Sequence, residues 1–231
     1  AIQGHCLPIM ANDSVYFSGV YEMTDTKERI LMTALRLFAQ NGYEAVSVSK
    51  IAGELGITKG ALYKHYRNKR DIFDSIFDRL CQLDGERARN AEVPEKDFAE
   101  MPLSFGKTSV EGLMAYLKEQ FVYWTADEMA CNFRRMITLE QYRNPEMTAL
   151  YHKVLTRGPI DYIENLICEM MKQGAWHKGD PKQMAIELHA PFYLLLSISD
   201  SAKSPEEKKE IANLFMTHVD RFVKKYAVCS Q

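Results

Sequence analysis

The stretch Ser47–Lys69, SVSKIAGELGITKGALYKHYRNK, decides how the rest of the chain is read. Ser47 can N-cap a short helix whose Val48, Ile51, Ala52 and Leu55 share one face, and Gly56 has the backbone freedom to end it. Ile57 returns the chain to the core, and Thr58 can cap a second helix over Lys59–Tyr66. Helix, glycine-containing corner and helix make a helix-turn-helix. In the second helix Ala61, Leu62 and Tyr66 are placed to hold it down, while Lys59, Gly60, Tyr63, Lys64 and His65 lie near or along its outer side. A recognition helix needs that division. Lys59–Arg70 carries five basic residues (Lys59, Lys64, Arg67, Lys69, Arg70) and no acidic one, a run that suits phosphate but would also suit a solvated charged helix.

Within Thr33–Phe77 the run ALRLFAQNGYEAVSVSKIAGELGITKGALYKHYRNKRDIF contains A-L-x-L-F-A-x-x-G-Y, the I-A-x-x-L-G-I turn and G-A-L-Y-x-H-Y-x-N-K. This combination closely resembles the DNA-binding domain of the tetracycline-repressor-like (TetR/AcrR) transcriptional regulators, and it covers about a quarter of the chain. RRMITLEQYRNPEMTALY, further on, is similar to the regulatory domain of a subset of that family.

Outward from this stretch the signals remain helical. Asp25 with Glu28 opens a helix whose Ile30, Leu31, Ala34, Leu35, Leu37 and Phe38 fit a 3.6-residue period, and Asn41-Gly42 stops it. It should pack behind the helix-turn-helix as the small core of a three-helix domain. Asn68 caps a fourth helix carrying Ile72, Phe73, Ile76, Phe77 and Leu80, which bridges to the remainder. Glu86–Lys107, with Pro94, Pro102 and Gly106, reads as a mobile connection. Thr108 with Glu111 and Thr125 with Glu128 read as capping boxes, the second marking a new helix or a kink. Asn144-Pro145 starts another helix, Gly158-Pro159 breaks or kinks it, and Gly174 ends it. Asp180-Pro181 and Ser204-Pro205 are two further starts. No segment sustains strand alternation. The expected fold is all α: an N-terminal three-helix helix-turn-helix DNA-binding domain (23–69) followed by a larger helical ligand-binding and dimerisation domain (70–231). Residues 1–22 contain no Lys or Arg and read as an N-terminal extension, either from an upstream start or appended, ahead of a natural start at Met23.

Composition narrows the classes. The net charge is −2, yet Thr24–Leu80 holds ten Lys/Arg against seven Asp/Glu, so the basic end is the partner-seeking end. No apolar run is long enough for a bilayer, and no membrane partner is expected. Five widely spaced cysteines (Cys6, Cys81, Cys131, Cys168, Cys229) point to buried thiols in a reducing, cytoplasmic setting. There is no nucleophile elbow, phosphate loop or identifiable acid/base pair, so an enzyme is not expected; neither is a metal or other cofactor.

The resemblance implies that Lys59, Gly60 and Tyr63 reach base edges, Gly60 permitting close approach and Lys59 reaching guanine acceptors. Ser47, Ser49, Thr58, Lys64, His65 and Lys69 are better phosphate clamps through hydroxyls, charge and helix N-termini, although His65 could equally be a helix-surface residue. Ala190–Ile198 is apolar almost all round, and the last helix adds Phe215 and Phe222. The expectation is a homodimer whose interface contains Leu188, Phe192, Leu195, Leu196, Phe215 and Phe222, as the resemblance also implies; an unusually central helix of a monomer is the other reading. Leu117, Phe121, Trp124, Phe133, Met136, Ile137, Tyr151, Ile167, Met170, Met171 and Trp176 are candidates to line a pocket for an unidentified small-molecule effector, or are ordinary core. Glu140 either faces a cationic or hydroxylated ligand there or pairs with Arg134, Arg135 or Arg143. The expected function is a transcriptional regulator, a repressor released from a palindromic double-stranded operator by that effector. The alternative is an architectural or partner-controlled DNA-binding protein with no small ligand.

Overall fold

The computed structural model describes residues 25–228, which form eleven helices and no named strand. The expectations for residues 1–22, Met23, Cys6 and Cys229 lie outside the described residues. α1 (Thr26–Asn41), α2 (Val48–Glu54), α3 (Lys59–Tyr63) and the long α4 (Lys69–Asn90) come first. α5 (Pro102–Phe105), α6 (Val110–Ala126), α7 (Glu128–Glu140), α8 (Pro145–Leu155), α9 (Arg157–Lys172), α10 (Pro181–Ser199) and α11 (Pro205–Tyr226) follow. None of them is long and apolar enough to cross a membrane.

Most boundaries are set by local chemistry. Asp25, Ser47, Thr58, Asn68, Asn144, Asp180 and Ser204 each place a side-chain oxygen on an N–H of the first turn. Two expected caps are shifted. Thr108 is buried and donates its hydroxyl to the Ser104 carbonyl at 3.1 Å, leaving Ser109 to accept from Gly112 N at 3.0 Å. Thr125 likewise donates back to Phe121 O inside α6, and Asp127 caps α7 through Ala130 N at 2.9 Å. α3 is also shorter than expected. Lys64 and His65 lie in a turn after it, and Tyr66 is buried with its hydroxyl 3.2 Å from Lys27 O.

The break between α8 and α9 follows from two residues. Pro159 has no N–H to give the Leu155 carbonyl, which accepts instead from the buried His189 at 2.8 Å. A Cβ on Gly158 would collide with the Lys153 carbonyl oxygen, so only glycine lets the chain turn there. The segment expected to be a mobile link is anchored: α4 runs on to Asn90, and Phe105 is fully buried against Phe98 and Tyr162. The Tyr162 hydroxyl also donates to Pro94 O at 2.7 Å.

Two main hydrophobic cores result, beside a small third cluster of Ala88, Ala91 and Val93. In the first, Ile30, Leu35 and Phe38 of α1, Ile51 of α2, Leu62 of α3 and Ile72 of α4 pack with Phe133 and Met136 of α7 and Tyr151 of α8. The helix-turn-helix thus has no closed core of its own; α1 is seated on α7. The second core joins α6, α9, α10 and α11 around Phe121, Leu166, Phe192 and Phe215. Trp124 packs against both.

Candidate nucleic-acid interface

α2 and α3 meet through Gly56, whose φ of 66° is the left-handed conformation that lets Ile57 N return to Ala52 O at 3.0 Å. Ile51 and Leu62 face inward with no exposure, fixing the angle between the two helices. The outward face carries Lys59, Gly60, Tyr63, Lys64 and His65, all exposed, with Tyr63 at 46%. Above Gly60 the nearest heavy atom to an added Cβ would be Thr58 Oγ1 at 3.9 Å, so the surface there is open to close approach. Ser47 and Thr58 spend their acceptor oxygens on Lys50 N and Ala61 N, both at 3.1 Å, and keep their hydroxyl hydrogens for an outside acceptor. Ser49 is exposed on the first turn of α2.

The five basic residues divide. Among the described residues no carboxylate lies within ion-pair distance of Lys59 or Lys64. Arg67 is bound to Asp71 through its backbone N at 2.8 Å and its guanidinium at 2.9 Å. That hydrogen bond holds the Asp71 carboxyl below the usual range. Arg70 bridges Asp74 and Glu146, tying α4 to α8. Lys69, expected as a phosphate clamp, also serves as a brace: its ammonium donates to Tyr43 O at 2.8 Å and Glu44 O at 3.4 Å, and sits 4.1 Å from the centroid of the Tyr43 ring. Burial pushes the Tyr66 hydroxyl up to about 12, so it stays protonated as a donor.

Glu140 has a different role from ligand contact. It is fully buried, and its Oε1 accepts from Tyr43 N, 97 residues away, at 3.0 Å and from Arg143 at 3.0 Å. Of the arginine partners left open by the sequence, Arg143 is the one it meets. Gly42 makes the approach possible, since a Cβ there would collide with that carboxylate oxygen and lie 2.6 Å from Arg143 Nη1. Sequence reasoning missed the Tyr43 contact because neither residue signals the other. It also missed the pairing of Arg134 with Asp200, which joins α7 to the end of α10, with Arg135 adding a bond at 3.2 Å.

The other ligand candidates separate between the two cores. Phe133, Met136, Ile137 and Tyr151 belong to the first; Leu117, Phe121, Ile167, Met170, Met171 and Trp176 pack in or against the second. An open cleft of about 250 Å³ between α1, α7, α8 and α10 has Arg134, Arg135, Thr138, Tyr193 and Asp200 in its wall, and none of the twelve candidates lines it. The six expected interface residues, Leu188, Phe192, Leu195, Leu196, Phe215 and Phe222, are buried within this one chain. Their stripes are already used by α6 and α9. The exposed face of α10 instead carries Ile186, Tyr193, Leu194 and Ile198, and α11 adds Leu214. The three cysteines among the described residues are free, but none is buried as expected, and Cys81 is exposed.

A helix-turn-helix with an exposed, carboxylate-free second helix, fastened to a larger helical body, defines a DNA-binding regulator. Residues 30–76 match the family described as bacterial regulatory proteins, tetR family. YhgD, an HTH-type transcriptional regulator of Bacillus subtilis, is 26% identical over 202 residues, 84% of this chain and 95% of that one. YerO of the same organism is 37% identical over 70 residues, which span 30% of this chain and only 24% of that relative. The fold is similar to that of SmeT, the repressor of the Stenotrophomonas maltophilia multidrug efflux pump SmeDEF, in its triclosan complex; the TM-score is 0.64 and the identity 20%, over 87% of this chain and 91% of that one. Residues 30–76 thus match the DNA-binding segment of the tetR family, and the chain as a whole is similar to transcriptional regulators of that kind.

Proposed function

We propose that this chain is a homodimeric repressor that reads a near-palindromic DNA site with α3 and leaves it when a small effector binds the helical body. The observation that carries this reading is the outward face of α3, where Lys59 and Lys64 have no carboxylate partner among the described residues and stand beside an open Gly60. Lys59, Gly60 and Tyr63 then address base edges, while Ser47, Ser49, Thr58, Lys64 and His65 address phosphates. Lys69 contributes by holding the α1–α2 corner.

A dimer places two recognition helices in successive major grooves about 34–36 Å apart. Ile186, Ala190, Leu194 and Ile198 recur at helical spacing on the exposed face of α10 and, with Leu214, form the surface a second copy would cover. Spacing is then the regulated variable, and an effector shifts it only by binding one spacing better than the other. The seating of α1 on α7 and the Glu140–Tyr43 bond give the body a rigid hold on the head. SmeT, solved with triclosan, is a precedent for a small molecule in this fold. A second reading, regulation by a docked protein, draws on the closed packing around Phe121, Met136 and Met170.

The test is selection of bound sequences from a randomised duplex library at one stated salt, with the mass of the protein recorded alone and on the winning site. A palindrome occupied by two chains is expected. Binding without sequence preference refutes the specific-repressor reading, and a monomer mass on the winning duplex refutes the dimer. If no small molecule releases the selected site but a partner protein does, the second reading stands.

A further inference from the structure

The Asp84 side chain on α4 is 48% exposed, and a carboxylate half in water needs no protein donor. Yet three converge on its Oδ1: Arg87 Nη2 at 3.4 Å, the Tyr116 hydroxyl at 3.2 Å and Gln120 Nε2. Two of these donors come from residues more than nine-tenths buried, Arg87 and Gln120. Their orientation is fixed independently of Asp84. The Gln120 carbonyl oxygen accepts the Trp124 indole N–H at 3.1 Å, and because an indole only donates, the amide NH₂ must face Asp84. The Arg87 guanidinium lies 3.5 Å from the centroid of the Tyr123 ring. Burial raises the Tyr116 hydroxyl well above its ordinary value, so it remains a donor.

The cluster offers more than Asp84 takes. Arg87 Nε and the Tyr123 hydroxyl are buried and have no hydrogen-bond partner among the described residues. A buried guanidinium held by one long hydrogen bond and the face of the Tyr123 ring still has a donor to spare, and a planar carboxylate meeting Nε and Nη2 together would satisfy it. A cationic ligand finds the opposite conditions, since it would meet Arg87 itself.

We propose that Arg87, Gln120, Tyr116 and Tyr123 form a binding site for the carboxylate of a small organic acid, and that Asp84 is its internal occupant. The incoming carboxylate displaces Asp84 into water, takes the bidentate face of Arg87 and leaves Asp84 uncoupled from α6. Because Asp84 and Arg87 lie on α4, the helix that continues into the DNA-binding head, and the other donors lie on α6, the exchange replaces the direct Asp84 link between the two helices with one through the ligand and so resets how α4 is held. This names the chemical class of the effector and rests on the reading of the body as effector-binding.

The experiment is calorimetric titration of the full chain with decanoate and with benzoate, using decylamine as the cationic control. Asp84→Ala should bind at least one of the two carboxylates tenfold or more tighter than wild type, because the internal competitor is gone. Arg87→Met, an apolar replacement of similar length that the core should accept, should abolish binding, and Tyr116→Phe should weaken it several-fold. No uptake of either carboxylate by Asp84→Ala, weaker uptake than wild type, or preference for decylamine overturns the proposal. Release of the selected duplex is scored separately. A carboxylate that binds Asp84→Ala but leaves the wild-type DNA complex intact keeps the site and removes its effector role. Specific duplex binding with no carboxylate uptake removes the site and leaves the repressor reading standing.

Discussion

Replacing Gly42 by alanine should destabilise the chain by about 2.5–6 kcal/mol, the sum of two separable costs. The residue sits at φ 84°, ψ 152°, a region open essentially to glycine alone, and forcing alanine into it costs about 1–3 kcal/mol. The new Cβ would also collide with Glu140 Oε1, driving the carboxylate off the Tyr43 N–H it holds at 3.0 Å. A hydrogen bond to a buried charged acceptor contributes about 1.5–3 kcal/mol. The assay is urea unfolding followed by far-UV circular dichroism at one protomer concentration, since the proposed dimerisation would make stability concentration-dependent. In a Glu140→Ala background the carboxylate collision is absent and the half-exposed Arg143, released from its partner, can swing away from the Cβ, so Gly42→Ala should cost only its backbone part, about 1–3 kcal/mol. Glu140→Gln keeps an oxygen for Tyr43 and loses only the pair with Arg143, whose side chain is half exposed, so its cost should stay near about 1 kcal/mol. Equal penalties for Gly42→Ala with and without Glu140 would refute the reasoning.

Three further outcomes are expected. Lys64→Ala should weaken binding to all duplexes alike and reduce the salt slope by about one, whereas Lys59→Ala should relax preference at one position of the selected site by about 1–3 kcal/mol; salt titrations on matched and mismatched duplexes check both, and the reverse result would exchange the two roles. Asp200→Ala should cost about 2–4 kcal/mol at neutral pH, discounted for partial exposure, because it strands the Arg134 guanidinium, whose side chain is only 7% exposed. Burial alone would raise the Asp200 carboxyl, but the arginines outweigh it and hold it below its ordinary value of 3.8; the stabilisation is present above that value and lost as pH falls through the lower one, so the variant should show a flatter acid limb in urea titrations. His189 is lowered from 6.5 by burial, so the unfolded chain takes up its proton first and stability should fall as pH drops below about 6.5; His189→Gln should remove that slope.

The helix starts were legible in the sequence because a cap is a contact between residues two or three apart. Ser47, Thr58, Asn68, Asn144, Asp180 and Ser204 needed nothing from the rest of the chain to be recognised, and Gly42, Gly56 and Gly174 all adopt the positive φ expected at their stops. The same locality failed at Thr108 and Thr125, where burial turned each hydroxyl back onto its own helix and a neighbour took the cap. Apolar stripes were legible too, but not what covers them. A stripe on α10 reads the same whether α6 and α9 bury it or a second chain does, and tertiary packing assigned Leu188, Phe192, Leu195 and Leu196 to the chain's own core.

Charge followed the same rule. The basic run on and after α3 was visible as a run, yet its division into the unpaired Lys59 and Lys64 and the committed Arg67, Lys69 and Arg70 depended on which carboxylates and carbonyls folding brought near. The sequence by itself determined the helices, the corner that makes the reading head and the side chains on its outer face, because those depend on neighbours within a few residues. Only the tertiary structure decided how head and body are joined and which polar groups are left unmatched. Glu140 meets Tyr43 across 97 residues and Arg134 meets Asp200 across 66, and at such separations one side chain carries no imprint of the other until the cores between them have packed.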